Sequence, residues 1–217
     1  MAPRRRRRSA ELLGVTTTRL ESFSDGVLAV AITLLALSIT VPDPVPGQSL
    51  AGALSKHWPE YVAYATSFMT IGIIWINHHA MVRRLNAVDH VILTLNLVLL
   101  LFIGLLPFTT ALMAKYLNAG HGQNLAAAIY SGSYLLMSIA FSAMNRNILF
   151  RKAHLLGVDL DERERRRILT RGVTGLGPYV LAVALAPLSA YATLAICGAV
   201  AVFYALPIAS GGDISTT

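Results

Sequence analysis

The chain has 217 residues, 55% of them hydrophobic and only 13% charged, with 18 Lys and Arg against 11 Asp and Glu for a net charge of +7. Soluble domains carry about 25% charged residues, so this balance excludes an ordinary soluble fold and indicates an integral membrane protein. The single cysteine, Cys197, lies in an apolar run, which excludes an intrachain disulfide.

Residues 1–23 read as a basic arm that includes five consecutive arginines at 4–8. An apolar run at 24–41 follows. A signal peptide is the alternative for this stretch, but the run is longer than the usual apolar core of a signal and contains Asp25, so it reads as a first transmembrane helix. Further stretches of the length that spans a hydrocarbon core of about 30 Å lie at 58–76, 88–113, 125–145, 168–187 and 191–206. The expectation is an all-α, polytopic membrane protein with six transmembrane helices in one domain at 24–208, followed by a flexible tail at 209–217. No alternation typical of barrel strands recurs.

Lys and Arg divide unevenly between the connections. Arg4 to Arg8, Arg19, Arg83, Arg84, Arg146, Arg151, Lys152, Arg163, Arg165, Arg166, Arg167 and Arg171 fall on one set, whereas the other holds only Lys56 and Lys115. The positive-inside rule then places both termini in the cytoplasm. The same partition argues against nucleic acid as partner of the positive charge; the arginine block reads as a topology determinant near anionic headgroups.

At about 100° per residue, Gly26, Val30, Thr33, Leu34, Leu37 and Val41 fall on one stripe of the first helix, with Phe23 and Arg19 below them. Asp25 points about 140° away, toward Ala29, Ile32 and Ala36, on a second face of small residues. A carboxylate facing lipid costs several kcal/mol, so Asp25 requires a partner inside the protein. The second run ends in Trp75, Asn77, His78 and His79 at the depth of Ser24 and Asp25, which suggests a buried polar lock between antiparallel neighbours. A metal site at the two histidines and a proton relay through Asp25 are the competing readings. Adjacent histidines diverge on a helix and no further ligands cluster with them, so no metal and no cofactor are expected.

Arg19-x-x-x-Phe23-Ser24-Asp25, followed by Ala-Val-Ala-Ile-Thr-Leu-Leu at 29–35, and Trp-x-Asn-His-His at 75–79 resemble the signatures of the transmembrane protein 175 family of potassium channels, in its single-repeat prokaryotic branch. The resemblance implies a homotetramer in the cell membrane of a bacterium, with a central pore lined by the first helix of each subunit and K⁺ as the permeating ion. It also implies that Val30, Thr33, Leu34 and Leu37 form the constriction, the residues already placed on one stripe. Family members often carry Ile or Leu where this chain has Val30, which moves the tightest ring toward Leu34 and Leu37. No carbonyl-lined filter sequence of the TVGYG type occurs.

Remaining signals are weaker. The stretch 159–167 places acids before bases, as at a helix start, with Glu162 and Arg166 at a favourable spacing. Asn96, Thr109 and Thr110 suit hydrogen bonds between helices, while His57, His90, His121 and His154 receive no role. No phosphate loop, nucleophile elbow or zinc protease signature points to an enzyme. A proton-coupled or other cation transporter, and a membrane-embedded enzyme using Asp25 and His78, are the alternatives to a channel.

Overall fold

The computed structural model describes residues 16–206, so the arginines at 4–8 and the tail at 209–217 lie outside the described residues. The first helix, α1 (Thr17–Leu35), starts earlier than the apolar pattern suggests because the Thr16 hydroxyl accepts from the Arg19 N–H at 3.3 Å. The last residues of the expected basic arm are therefore helical, and Asp25 lies about two turns inside. The helix also ends sooner, passing into a 3₁₀ turn (Ala36–Ser38) before a stretch that holds Pro42, Pro44 and Pro46. These prolines supply no N–H and cannot continue a helix. Val41 consequently lies beyond the helix that was expected to carry it.

Ser49 caps the short α2 (Leu50–Lys56) through the Gly52 N–H at 3.1 Å. The long α3 (Trp58–Val82) follows directly, with Pro59 in its first turn. Asp89 accepts from the Ile92 N–H at 2.9 Å and opens α4 (His90–Tyr116), which carries Pro107 in its interior. Left-handed Gly122 (φ 72°) turns the chain into α5 (Gln123–Arg146), which runs on through a π-helical turn (Asn147–Arg151). Asp161 caps α6 (Glu162–Thr174) through the Glu164 N–H at 2.6 Å, as the order of acids and bases suggests. Gly175 then leads into α7 (Leu176–Leu185), and Ser189 caps α8 (Ala190–Ala205) through the Ala192 N–H at 3.2 Å.

By length and apolarity, four helical stretches among the described residues suffice to cross a membrane: Thr17–Ser38, His90–Tyr116, Gln123–Arg151 and Glu162–Leu185. α3 has the length but is more polar, with Thr66, Ser67, Thr70, Asn77, His78 and His79 along it. α8 is apolar but only 16 residues long, about 24 Å of helix.

The core lies between α4 and α5, where Ile103, Leu106, Met113, Tyr130, Tyr134 and Met137 are fully covered. Their polar atoms are matched. Ser67 Oγ from α3 lies 2.7 Å from Thr110 Oγ1 and 2.7 Å from the Tyr134 hydroxyl, which itself donates to the Tyr130 hydroxyl at 2.9 Å. Such hydroxyl clusters let polar side chains occupy a bundle interior without leaving a group unsatisfied.

Connections rich in arginine gather at one end of the bundle. There the Asn86 N–H donates to the Leu155 carbonyl at 2.9 Å and the Gly157 N–H to the Arg84 carbonyl at 2.8 Å. A Cβ at position 157 would run into the Asn86 side chain, which would have to move aside. Lys152 Nζ lies 2.7 Å from Asp89 Oδ2. Partial burial would raise the Asp89 carboxyl, but hydrogen bonds from Lys152 and the Ile92 N–H and the lysine charge outweigh it and hold it below its usual range. At the opposite end the Tyr191 hydroxyl donates to Asn118 Oδ1 at 2.8 Å, and Asn124 Nδ2 donates to the Pro187 carbonyl at 2.7 Å.

Candidate pore helix and its polar anchor

α1 packs against α3 and α4 through Leu20, Ser24, Leu28, Ala31 and Leu35, all buried. Ala29 and Ala36 of the expected small-residue face are exposed instead. The reason is volume, since Leu28 and Leu35 fill the space beside α4 while alanines at that position would leave cavities. On the other side Val30, Leu34 and Leu37 are 56%, 44% and 77% exposed, and Thr33 stands among them. Leu37 belongs to the 3₁₀ turn and extends the exposed row past the end of the α-helix. The Thr33 hydroxyl donates to the Val30 carbonyl at 2.8 Å, which leaves its oxygen free to accept. Beside this row an open groove of about 490 Å³ is lined by Phe23, Gly26, Val27, Val30, Leu34 and Gly104 among others.

The opposite side of α1 carries the polar contacts. Trp75 Nε1 donates to Asp25 Oδ1 at 2.9 Å. One turn toward the N-terminus of α1 and one turn toward the C-terminus of α3, His79 Nδ1 lies 2.6 Å from Glu21 Oε1. Deeper in, Asn96 of α4 joins all three helices: its Nδ2 donates to Ser24 Oγ at 3.0 Å and its Oδ1 accepts from His78 Nε2 at 2.8 Å. The Ser24 hydroxyl itself donates to the Leu20 carbonyl at 2.8 Å. Because the Asn96 oxygen can only accept, this contact fixes the proton on His78 Nε2 and leaves Nδ1 as a buried acceptor with no protein partner.

The expected residues thus divide into three groups. Ser24, Asp25, Trp75, His78 and His79 all take part in contacts between helices. Asn77 does not, since its Nδ2 donates to the Ile73 carbonyl of its own helix at 2.8 Å. Arg19 and Phe23 lie on the exposed side. The lock differs from the expectation in burial as well as in the absence of Asn77: Trp75 is 45% exposed in the single chain, whereas the fully buried contacts are those of Ser24, His78 and Asn96. The two histidines diverge, one toward Asn96 and the other toward Glu21, as adjacent helical residues do.

Two participants were not singled out from the sequence for these roles. Glu21 stands four residues before Asp25 and His79 four after Trp75, a spacing that pairs both couples across an antiparallel seam. Glu60 accepts from the Thr40 N–H at 2.7 Å and from the Thr40 hydroxyl at 2.9 Å, with His57 Nδ1 at 2.6 Å, and so ties the exit of α1 to the start of α3. This contact is in register with the other two, since Thr40 follows Asp25 in the sequence by as many residues as Glu60 precedes Trp75.

These features define a class: a polytopic α-helical membrane protein in which one polar-anchored helix keeps a bulky apolar row uncovered, as a subunit of a helix-lined pore does. The family model described as endosomal/lysosomal potassium channel TMEM175 matches residues 19–107. A potassium channel of Streptomyces collinus is 41% identical over 186 residues, covering 86% of this chain and 90% of that protein. One of Chamaesiphon minutus is 37% identical over 193 residues, covering 88% and 94%. The crystal structure of a lysosomal potassium-selective channel TMEM175 homologue from Chamaesiphon minutus superposes with a TM-score of 0.77 at 34% identity, over 87% of this chain and 96% of that one. The chain belongs to the TMEM175 family.

Proposed function

We propose that the chain is a potassium channel in which four subunits bring their α1 helices together around a passive K⁺ pathway. The observation that carries this reading is the uncovered row of Val30, Leu34 and Leu37 on the helix with the Arg19 to Asp25 motif. Its setting supports it: relatives similar over nearly the whole chain are named potassium channels. A row of large apolar side chains facing lipid needs no anchor on its far side, whereas one lining a pore must be held at a fixed rotation.

Six crossings would come from α1, α3, α4, α5, the last turns of α6 continued by α7, and α8. The arginine-rich end would face the cytoplasm, with both termini there and the channel in the plasma membrane of a prokaryote. Four copies of Val30, Leu34 and Leu37 would form apolar rings that oppose passage by dewetting. The Thr33 oxygen would offer a partial replacement for water to an ion held between them. K⁺ would pass more readily than Na⁺ because the smaller ion holds its water more tightly. The chain performs no covalent chemistry in this reading, and needs no cofactor.

The test is recording from purified protein in planar bilayers under opposed K⁺ and Na⁺ gradients, with subunit number taken from native mass spectrometry. Unitary current steps reversing near the K⁺ potential from a tetramer are expected. Saturable flux with a fixed ion stoichiometry and no unitary steps would identify a transporter and overturn the proposal.

A further inference from the structure

The conduction reading gives the arginines of α6 no role, yet they are arranged rather than scattered. Ile168, Leu169 and Gly172 turn toward the bundle, with Gly172 close to Asn145 of α5. Arg165 turns inward too, and donates to the Leu160 and Leu149 carbonyls at 3.0 and 3.4 Å. Arg166 pairs with Glu162 at 2.6 Å along the helix surface. Arg163, Arg167 and Arg171 remain, all exposed. At about 100° per residue they lie within about 40° of one outward line, and no ion pair reaches them among the described residues.

The line does not stop at the end of α6. Gly175 keeps right-handed helical angles (φ −65°, ψ −18°), so the rotational phase passes into α7. There exposed Leu181 falls on the same side, in a helix whose outer surface is apolar. At 1.5 Å per residue, Arg171, Arg167 and Arg163 stand roughly 6, 12 and 18 Å beyond Gly175. One face thus runs from an exposed leucine to three guanidinium groups outside any ion pair among the described residues, over a length comparable with a headgroup layer and the water next to it.

We propose that this face is a docking surface for an anionic phospholipid, with the headgroup phosphate held by Arg171 and Arg167 and the acyl chains lying along α7. Guanidinium suits phosphate because its planar fork can donate two hydrogen bonds at once. Arg171 reaches the headgroup directly and Arg167 by bending its stem toward the membrane. Arg163 acts only through the screened field, which decays over about 8 to 10 Å. The contributions therefore fall in the order Arg171, Arg167, Arg163.

The test is titration of the full chain in neutral detergent with labelled phosphatidylglycerol, with phosphatidylcholine and inorganic phosphate as separate arms. A basic residue at an anionic surface contributes about 1 kcal/mol, or roughly five-fold in affinity. The variant R163Q/R167Q/R171Q is expected to lose at least about 25-fold in phosphatidylglycerol affinity, the share of the two residues within reach. The corresponding triple lysine variant should stay within a few-fold of the parent, and of the single glutamine variants R171Q should lose most and R163Q least. If the triple glutamine variant does not fold, the order of the three single variants decides. Equal binding of the two lipids, retention of affinity by the glutamine variants, or displacement of phosphatidylglycerol by millimolar phosphate would each overturn the proposal, the last by showing a free-anion site.

Discussion

Replacing Asn96 by alanine probes the anchor where it is most deeply buried. Asn96 is 1% exposed and holds His78 from α3 and Ser24 from α1. Alanine would leave the His78 Nε2 proton without an acceptor in a position closed to water, next to an Nδ1 that already has no protein partner. Ser24 would keep its bond to the Leu20 carbonyl and lose little. An orphaned buried donor costs about 1 to 3 kcal/mol, to which the missing amide volume adds a small cavity. A total of about 2 to 3 kcal/mol corresponds to a fall of roughly 4 to 12 °C in melting temperature for a chain of this size. Trp75→Phe is the comparison, because it removes the bond to Asp25 at a half-exposed site toward the arginine-rich end of the bundle, where headgroups and interfacial water can replace it. That loss should be no more than about 1 kcal/mol. The assay is thermal melting of detergent-solubilised protein followed by size-exclusion chromatography. A larger loss for Trp75→Phe than for Asn96→Ala would refute the assignment of the anchor to the buried trio.

Three further outcomes follow from the same geometry. Leu37→Ala should raise single-channel current and shift the reversal potential under a K⁺/Na⁺ gradient, since the most exposed member of the row is removed; unchanged values for both would remove Leu37 from the constriction. Asp89→Asn should alter the acid limb of stability. Because the Asp89 carboxyl is held below its ordinary value of 3.8, its contribution is complete at neutral pH and disappears as pH falls through the folded value. The variant should lose about 0.5 to 1 kcal/mol at pH 7 and flatten the decline below about pH 4, measured by melting across pH. Ser67→Ala should cost about 1 to 2 kcal/mol, since its hydroxyl serves both Thr110 and Tyr134, yet leave single-channel conductance of the assembled protein unchanged because the cluster lies away from α1.

Much of the bundle is legible in the sequence because bilayer thickness restricts apolar runs to a narrow range of lengths, and α4, α5 and α8 begin within two residues of where those runs begin. The bounds of α1 are less legible. Its start depends on one hydroxyl, Thr16, and its end on three prolines, and a hydropathy pattern registers neither. Asp25 and the Trp75 to His79 stretch announce a contact because polar side chains at membrane depth need partners. Which of them would be buried does not follow, because burial of α1 depends on how far Leu28 and Leu35 rotate the helix toward α4. Asn96 stands out in its apolar run, but its position between two other helices is a property of three-helix packing.

The anchor and the apolar row are connected by helical phase alone. Glu21 and Asp25, which face α3, lie about 180° and 140° from the direction of Val30 on the wheel. Fixing those two side chains to His79 and Trp75 therefore turns Val30, Thr33 and Leu34 away from α3 whatever those residues are. Contacts at one end alone would allow rotation to accumulate along five turns of helix. The Thr40 bond to Glu60 prevents this by holding the exit of α1 to α3 in the same register. The composition of the row can then vary without changing the direction it faces. The polar seam thus determines the rotation of α1 whatever the size of the side chains on its exposed side.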